Sequence, residues 1–200
     1  MKGSTNTKRR AYRLGRRAAA ADETRRLIVE ATSGLHAERG IADTSMKDIA
    51  KRAGVSIGTV YHHFPTYPDA IAACGAYTAE QVPMPTEAIF EGTATRHERV
   101  ARLAAALFDY YERVPALASV RRDRHVAETL EQFVEQEAGN RLTLAARAVG
   151  GRKRDRQSAL VAALVDLDVY RALRRQDFTT SKAAERIAAL VNCWLDTPEH

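Results

Sequence analysis

Apolar residues recur every three to four positions along nearly the whole chain, and no stretch alternates apolar with polar residues for longer than chance. That is the period of a helix, so the chain reads as all-α. The clearest segment is 96–113, where Val100, Leu103, Ala104, Leu107, Tyr110 and Tyr111 share one face, with Phe108 alongside, before Pro115 interrupts. A charged helix is expected over 121–138, with Val126, Leu130, Phe133 and Val134 inward, and a further segment over 141–149 before Gly150-Gly151. Two helices close the chain. The first, 157–175, carries Leu160, Val161, Leu164, Val165, Leu167 and Leu173; the second, 181–195, carries Ala184, Ile187, Ala188, Val191 and Trp194, with Ser181 as its expected N-cap. Both apolar faces are broad. One side must pack on the rest of the bundle, and the surplus is expected to pair with the same helices of a second copy.

Toward the N-terminus the elements shorten. A first helix is predicted over 22–38, with Leu27, Ile28, Ala31 and Leu35 on one face and His36 as a neutral packed histidine at the core edge. Another begins near Pro68 and runs toward Gln81, ended by Pro83 and Pro85. Between them lies the stretch Ser45 to Phe64. Ser45 followed by Asp48 has capping-box form, with Asp in place of the usual Glu or Gln. Met46, Ile49 and Ala50 fall on one face, leaving Lys47, Lys51 and Arg52 available to phosphates. Ala53-Gly54-Val55 is the turn: Gly54 takes positive φ at little cost, and Val55 plugs the space between two helices. Ser56 is placed to cap a second helix, about Ile57 to His63, offering Thr59, Tyr61 and His62 outward while Val60 and Phe64 pack inward. Pro65 disfavours helical geometry at Phe64 and ends it. A plain helical hairpin accounts for any one of these features. Two caps, a glycine turn and an aromatic stop together favour a helix-turn-helix that reads DNA.

Such a second helix contacts base edges mainly from its N-terminal half. The candidate DNA-binding residues are therefore Ser45, Lys47, Ser56, Ile57, Gly58, Thr59, Tyr61 and His62. Charge adds to this picture. The chain of 200 residues carries a formal net charge of +6, and residues 1–60 hold 13 Lys/Arg against six Asp/Glu, while residues 61–200 hold 18 against 19. The positive excess lies with the motif, as phosphate neutralisation requires. Residues 1–20 are expected as a basic flexible arm that lies along DNA, with Arg16 and Arg17 as further candidates; a solvated tail that partly extends the first helix is the alternative.

Residues 24–64 resemble the DNA-binding domain of the TetR family of transcriptional regulators. The carrying pieces are Arg26-Leu27-Ile28 and Ala31, Gly40, Thr44 to Ala50, and Ala53-Gly54-Val55-Ser56-Ile57-Gly58-Thr59-Val60-Tyr61-His62-His63-Phe64. The resemblance implies a three-helix DNA-binding head on a larger helical body that binds an effector and dimerises, usually a repressor released from DNA by a small ligand. It implies domains of 21–66 for the head and 67–200 for the body, double-stranded DNA with a palindromic operator as partner, and homodimerisation through about 157–175 and 181–195. The chain departs from the family where Pro65-Thr66-Tyr67-Pro68-Asp69 stands: Tyr67 or Pro68 occupies the place of a common phosphate-contacting Lys.

Other chemistries find less support. Cys74 and Cys193 are the only cysteines and are far apart, so neither a disulfide framework nor a zinc site is expected, and a reducing cytoplasm is. Charged residues interrupt every apolar stretch, and the basic N-terminus lacks an apolar signal core. No cofactor or metal site is expected. A helical-bundle enzyme would need a constellation such as paired Glu-x-x-His motifs, and His97-Glu98 stands without a partner. A low-specificity DNA-coating protein using the basic arm remains the main alternative. Tyr110, Tyr111, Phe108, Phe133, Phe90 and Trp194 are equally core or effector lining, with core the better default, and His125 fits a solvated face; no effector residue is assigned.

Overall fold

The structure, a computed structural model, describes residues 4–153 and 155–197, with side chains from Ala18 onward. Among these every regular element is helical: α1 (Ser4–Arg39), α2 (Met46–Ala53), α3 (Ile57–His63), α4 (Tyr67–Gln81), α5 (Arg96–Arg113), α6 (Leu117–Arg122), α7 (Glu128–Val149), α8 (Arg156–Leu164), α9 (Leu167–Arg174) and α10 (Thr180–Asp196), with short 3-10 turns at Glu87–Phe90 and Arg124–Val126. The chain forms two compact units, one ending at Tyr77 and the other beginning at Thr78. No helix among the described residues is long and apolar enough to cross a membrane.

In the first unit Ile28, Leu35, Ile49, Val60, Phe64 and Ala70 form one core. His36 is buried there as expected. Tyr67 donates its hydroxyl to the Ile41 carbonyl at 2.7 Å, and its oxygen lies 3.0 Å from His36 Nε2. Since the tyrosine proton is already committed, the His36 ring must donate through Nε2. Tyr67 therefore ties α4 to the end of α1 instead of pointing outward.

In the second unit α5 is the central helix, with Val100, Leu103, Ala104 and Phe108 fully buried and α7 and α10 packed on it. Its start is a capping box between Thr95 and Glu98, and its bounds are those the periodicity predicts.

Five boundaries differ from expectation. The first helix begins at Ser4, not Asp22. Residues 4–21 lack proline and are rich in Ala and Arg, strong helix formers that let the helix extend backward. The expected break at Gly139-Asn140 is absent and α7 runs through it. Nothing obstructs the helix at Gly139, and Asn140 is anchored by a bond from Nδ2 to the Pro85 carbonyl. The helix expected from residue 121 instead starts at Glu128, after the chain leaves α6 at the buried Asp123, whose carboxylate meets the Arg122 guanidinium at 2.8 Å. The 157–175 helix is split by Val165-Asp166 into α8 and α9, and α10 is capped by Thr179 rather than Ser181.

The split has an electrostatic cause. Asp166 accepts the Asp168 amide at the start of α9 and pairs with Arg121 at 2.9 Å and Arg141 at 3.0 Å. The same two arginines each meet Glu137 at 2.7 Å, closing a ring of two cations and two anions among α6, α7 and the α8–α9 corner. Tyr111 donates its hydroxyl to Glu137 at 3.3 Å. Burial alone would lower the pKa of both arginines, but the charges around them outweigh it and raise both. Burial, reinforced by Glu137, pushes the Tyr110 phenol up to about 12 and raises Tyr111 as well, so both are neutral. The break at Asp166 lets its carboxylate cap α9 and meet both part-buried arginines at once.

Glu137 is 3% exposed. Glu137→Ala is expected to lower the unfolding free energy by up to about 3 kcal/mol, measured by urea denaturation, because it leaves Arg121 and Arg141 to share the single carboxylate of Asp166. A loss below about 1 kcal/mol would mean the ring does not organise this unit.

Candidate nucleic-acid interface

The helix-turn-helix forms as its sequence demands. Ser45 Oγ accepts the Asp48 amide at 3.3 Å, and Asp48 Oδ2 accepts the Ser45 amide at 3.1 Å, a complete capping box at the start of α2. The Ser45 hydroxyl also donates to Asp48, and Arg39 pairs with it at 2.8 Å; together these hold the Asp48 carboxyl below its usual range. Met46, Ile49 and Ala50 are buried. Gly54 ends α2 in the left-handed region at φ 68°, where a side chain would be strained, and the Val55 amide bonds back to the Ala50 carbonyl at 3.1 Å. Val55 is half-buried against the core, as a plug between the two helices should be.

Helix α3 starts at Ser56, whose Oγ accepts the Thr59 amide at 3.1 Å. Val60 is fully buried and Phe64 nearly so, with the Arg25 guanidinium 5.0 Å over the Phe64 ring. Those inward anchors fix the opposite face. Ile57 is 45% exposed and Tyr61 49%, four residues apart, and Gly58 and His62, also four apart, are exposed beside them. Residues spaced by four lie one above the other, so these side chains make a single outward stripe. An isoleucine and a tyrosine left half in water on a short helix form a surface with nothing of the described chain covering it.

Gly58 has an ordinary backbone, and a Cβ built on it would meet nothing nearer than Ser56 Oγ at 3.7 Å. The fold therefore does not require glycine at 58. Thr59 is half-buried and its hydroxyl lies 2.8 Å from Ser56 Oγ, so both hydroxyls are partly committed to each other.

Of the basic residues expected to be available on α2, Lys47 and Lys51 are exposed, with no acidic partner among the described residues. Arg52 is not available. Its guanidinium makes a two-pronged pair with Glu38 at 2.6 and 2.5 Å and passes over Gly34. It acts as a strut between α1 and α2, which a count of charges could not reveal. Arg16 and Arg17 lie on the helical backbone of α1, and their side chains fall outside the described residues. His63, next to the stripe, has its pKa lowered by burial and by the charges of His62 and Arg25.

Two features were missed in the sequence. Thr66 and Asp69 make a second reciprocal cap, at 2.9 and 3.3 Å, that starts α4; the Thr-x-x-Asp spacing was its signal. The Arg25–Phe64 stack had no local signal, since its partners are 39 positions apart.

Comparison with known proteins agrees with this geometry. Residues 28–66 match the family described as bacterial regulatory proteins, tetR family. An HTH-type transcriptional repressor of Mycobacterium tuberculosis is 35% identical over 147 residues, 70% of this chain and 73% of that protein. Among solved structures, a TetR-family transcriptional regulator from Rhodococcus sp. aligns with a TM-score of 0.63 at 21% identity, over 87% of this chain and 100% of that one. NalD, the secondary repressor of the MexAB-OprM multidrug efflux pump in Pseudomonas aeruginosa, aligns with a TM-score of 0.60 at 20% identity, over 86% and 96%.

Ser56→Ala is expected to cost about 1 kcal/mol of stability through loss of the α3 cap. Gly58→Ala should be neutral or stabilise by up to about 1 kcal/mol, since alanine is the better helix former and has room. Thermal unfolding of the two variants checks both signs. A destabilised Gly58→Ala would show that the glycine serves the fold after all.

Proposed function

Because this chain belongs to the tetR family of bacterial regulatory proteins, and so is a DNA-binding transcription regulator, we propose that it works as a homodimeric repressor which a small molecule releases from a palindromic operator. The observation that carries the reading is the outward stripe of α3. Ile57, Gly58, Tyr61 and His62 are held clear of the core by the burial of Val60 and Phe64.

In this reading α3 enters the major groove. Ile57 supplies apolar contact to thymine methyls, and Tyr61 and His62 bond base edges or phosphates. Gly58 lets the DNA backbone approach α3 closely, a role supported by the room for a Cβ that the fold leaves there. Ser45 and Lys47 at the start of α2, with Ser56 and Thr59 at the start of α3, meet phosphates through hydroxyls, an ammonium and helix amides. Arg16 and Arg17 add contacts from the N-terminal end of α1.

Repression is supported by the name of the mycobacterial relative. Dimerisation is supported by Leu160 on α8 and Leu190 on α10, 41% and 55% exposed on the last helices of the body. A dimer sets two recognition helices at half-sites one turn, about 34–36 Å, or a multiple apart. A ligand can release it only by binding more tightly to a body shape whose heads no longer match that spacing.

Fluorescence anisotropy on DNA from upstream of its own gene, against scrambled DNA of equal length, tests the reading across a salt series. Tight binding to the native fragment is expected, with Tyr61→Ala and Gly58→Ala each raising Kd about tenfold. Equal binding to both DNAs that collapses together with salt would favour a sequence-indifferent coating protein instead.

A further inference from the structure

A cleft in the second unit lies where the end of α5, α6 and α9 meet, with a volume of about 460 Å³. That is within the usual size of a small-molecule site. One wall is apolar: Val114, Pro115, Ala118 and Leu167, backed by the rings of Tyr111 and Tyr170. Among the aromatic residues that the sequence offered as effector lining, only Tyr111 borders it; Phe108 and Tyr110 are core.

The rim is basic. Arg171, Arg174 and Arg175 project from the end of α9, and Glu112 is the acid among the lining residues. Glu112 is already used. It pairs with Arg174 at 3.5 Å and accepts the Tyr170 hydroxyl, while Arg174 also donates to the Phe178 carbonyl at 2.7 Å. Arg171 and Arg175 are exposed and have no acidic partner among the described residues. Cations at a helix C-terminus are favoured by its dipole. That explains arginines here, but not the apolar hollow they border. Nor is the charge a reflection of composition, since residues 61–200 carry one more acid than base.

We propose that this cleft binds an organic anion, a carboxylate carried on an apolar chain or ring. The apolar body fills the hollow against Val114, Pro115 and Leu167, and the carboxylate takes the planar guanidinium forks of Arg171 and Arg175. A neutral hydrocarbon leaves the arginines unused, and a small anion leaves the hollow unfilled. The proposal deepens the ligand-released reading and rests on it for its regulatory consequence.

The cleft sits against segments that can carry that consequence. Arg113, next to Val114, directs Nη2 at the carbonyl of Gln81, the last residue of α4, at 3.5 Å. Leu167 follows Asp166 of the ion ring, and Tyr111 donates to Glu137 of the same ring. A ligand seated here touches both the residue beside the α4 anchor and two attachment points of the ring. It can therefore favour one arrangement of the body over another.

The test is isothermal titration of the full chain with decanoate and 2-naphthoate, alongside decanol and acetate, without DNA. Saturable binding of at least one of the two larger carboxylates is expected, with decanol and acetate at least tenfold weaker. The double variant R171Q/R175Q should raise the Kd of the bound carboxylate about tenfold or more. Both side chains are exposed in the single chain, and because they lie in the 157–175 stretch expected to pair two copies, an unchanged melting temperature together with an unchanged oligomeric state of the variant shows that the loss is local. No saturable binding of either carboxylate, binding of decanol as tight as that of decanoate, or an unchanged Kd in the variant would overturn the proposal. Operator release is read separately by anisotropy. Carboxylate binding lost in the variant supports the site even where the operator stays bound, and that second result counts against ligand release alone.

Discussion

Seven residues are too few to hold a helix in water, because the cost of nucleation is not recovered over so short a run. Helix α3 therefore exists only through its surroundings. Ser56 satisfies an amide at its start, Val60 and Phe64 bury its inner face, and Gly54 lets the preceding turn close. The same anchors that stabilise the helix determine which residues it shows to the outside. Orientation and stability are thus one property here. Any change that loosens Val60 or Phe64 dissolves the stripe of Ile57 and Tyr61 as well. Arg25 over Phe64 and Arg52 on Glu38 brace this arrangement from α1.

The second unit is organised by a different force. Its core is built on α5, but the path of the chain around that core follows the ring of Arg121, Glu137, Arg141 and Asp166. Buried charges must be paired, and pairing constrains geometry more sharply than apolar packing does. Asp166 leaves its helix to reach two arginines, and the chain divides into α8 and α9 as a result. The cleft proposed for an organic anion lies beside this corner, so a site and a point of conformational leverage coincide.

Much of this was legible in the sequence, for reasons that differ by element. Helix α5 was read correctly because its apolar period and the proline that follows it are local. The Ser45–Asp48 box, the Gly54 turn, the Ser56 cap and the inward Val60 and Phe64 were also local signals. What escaped was long-range pairing. Arg52 reads as a free cation until Glu38, 14 residues earlier, is brought beside it. Tyr67, which with Pro68 reads only as standing where a phosphate contact is lost, gains a structural role once Ile41 and His36 are seen at its hydroxyl. The break at Asp166 has one local signal, the carboxylate that caps α9, but Val165 and Leu167 continue the helical pattern around it and mask it. Its other partners, Arg121 and Arg141, lie on α6 and α7.

In the proposed function the outward face of α3 reads base edges in the major groove. Methylation interference with dimethyl sulfate on the upstream fragment tests it most directly, because the reagent marks guanine N7 in the major groove and adenine N3 in the minor groove. N7 methylation is expected to block binding at two clusters of guanines about 10–10.5 base pairs apart, or a multiple of that. Interference confined to adenine N3, or none at any base, would contradict it, since binding would then be carried by the minor groove or by the phosphates alone.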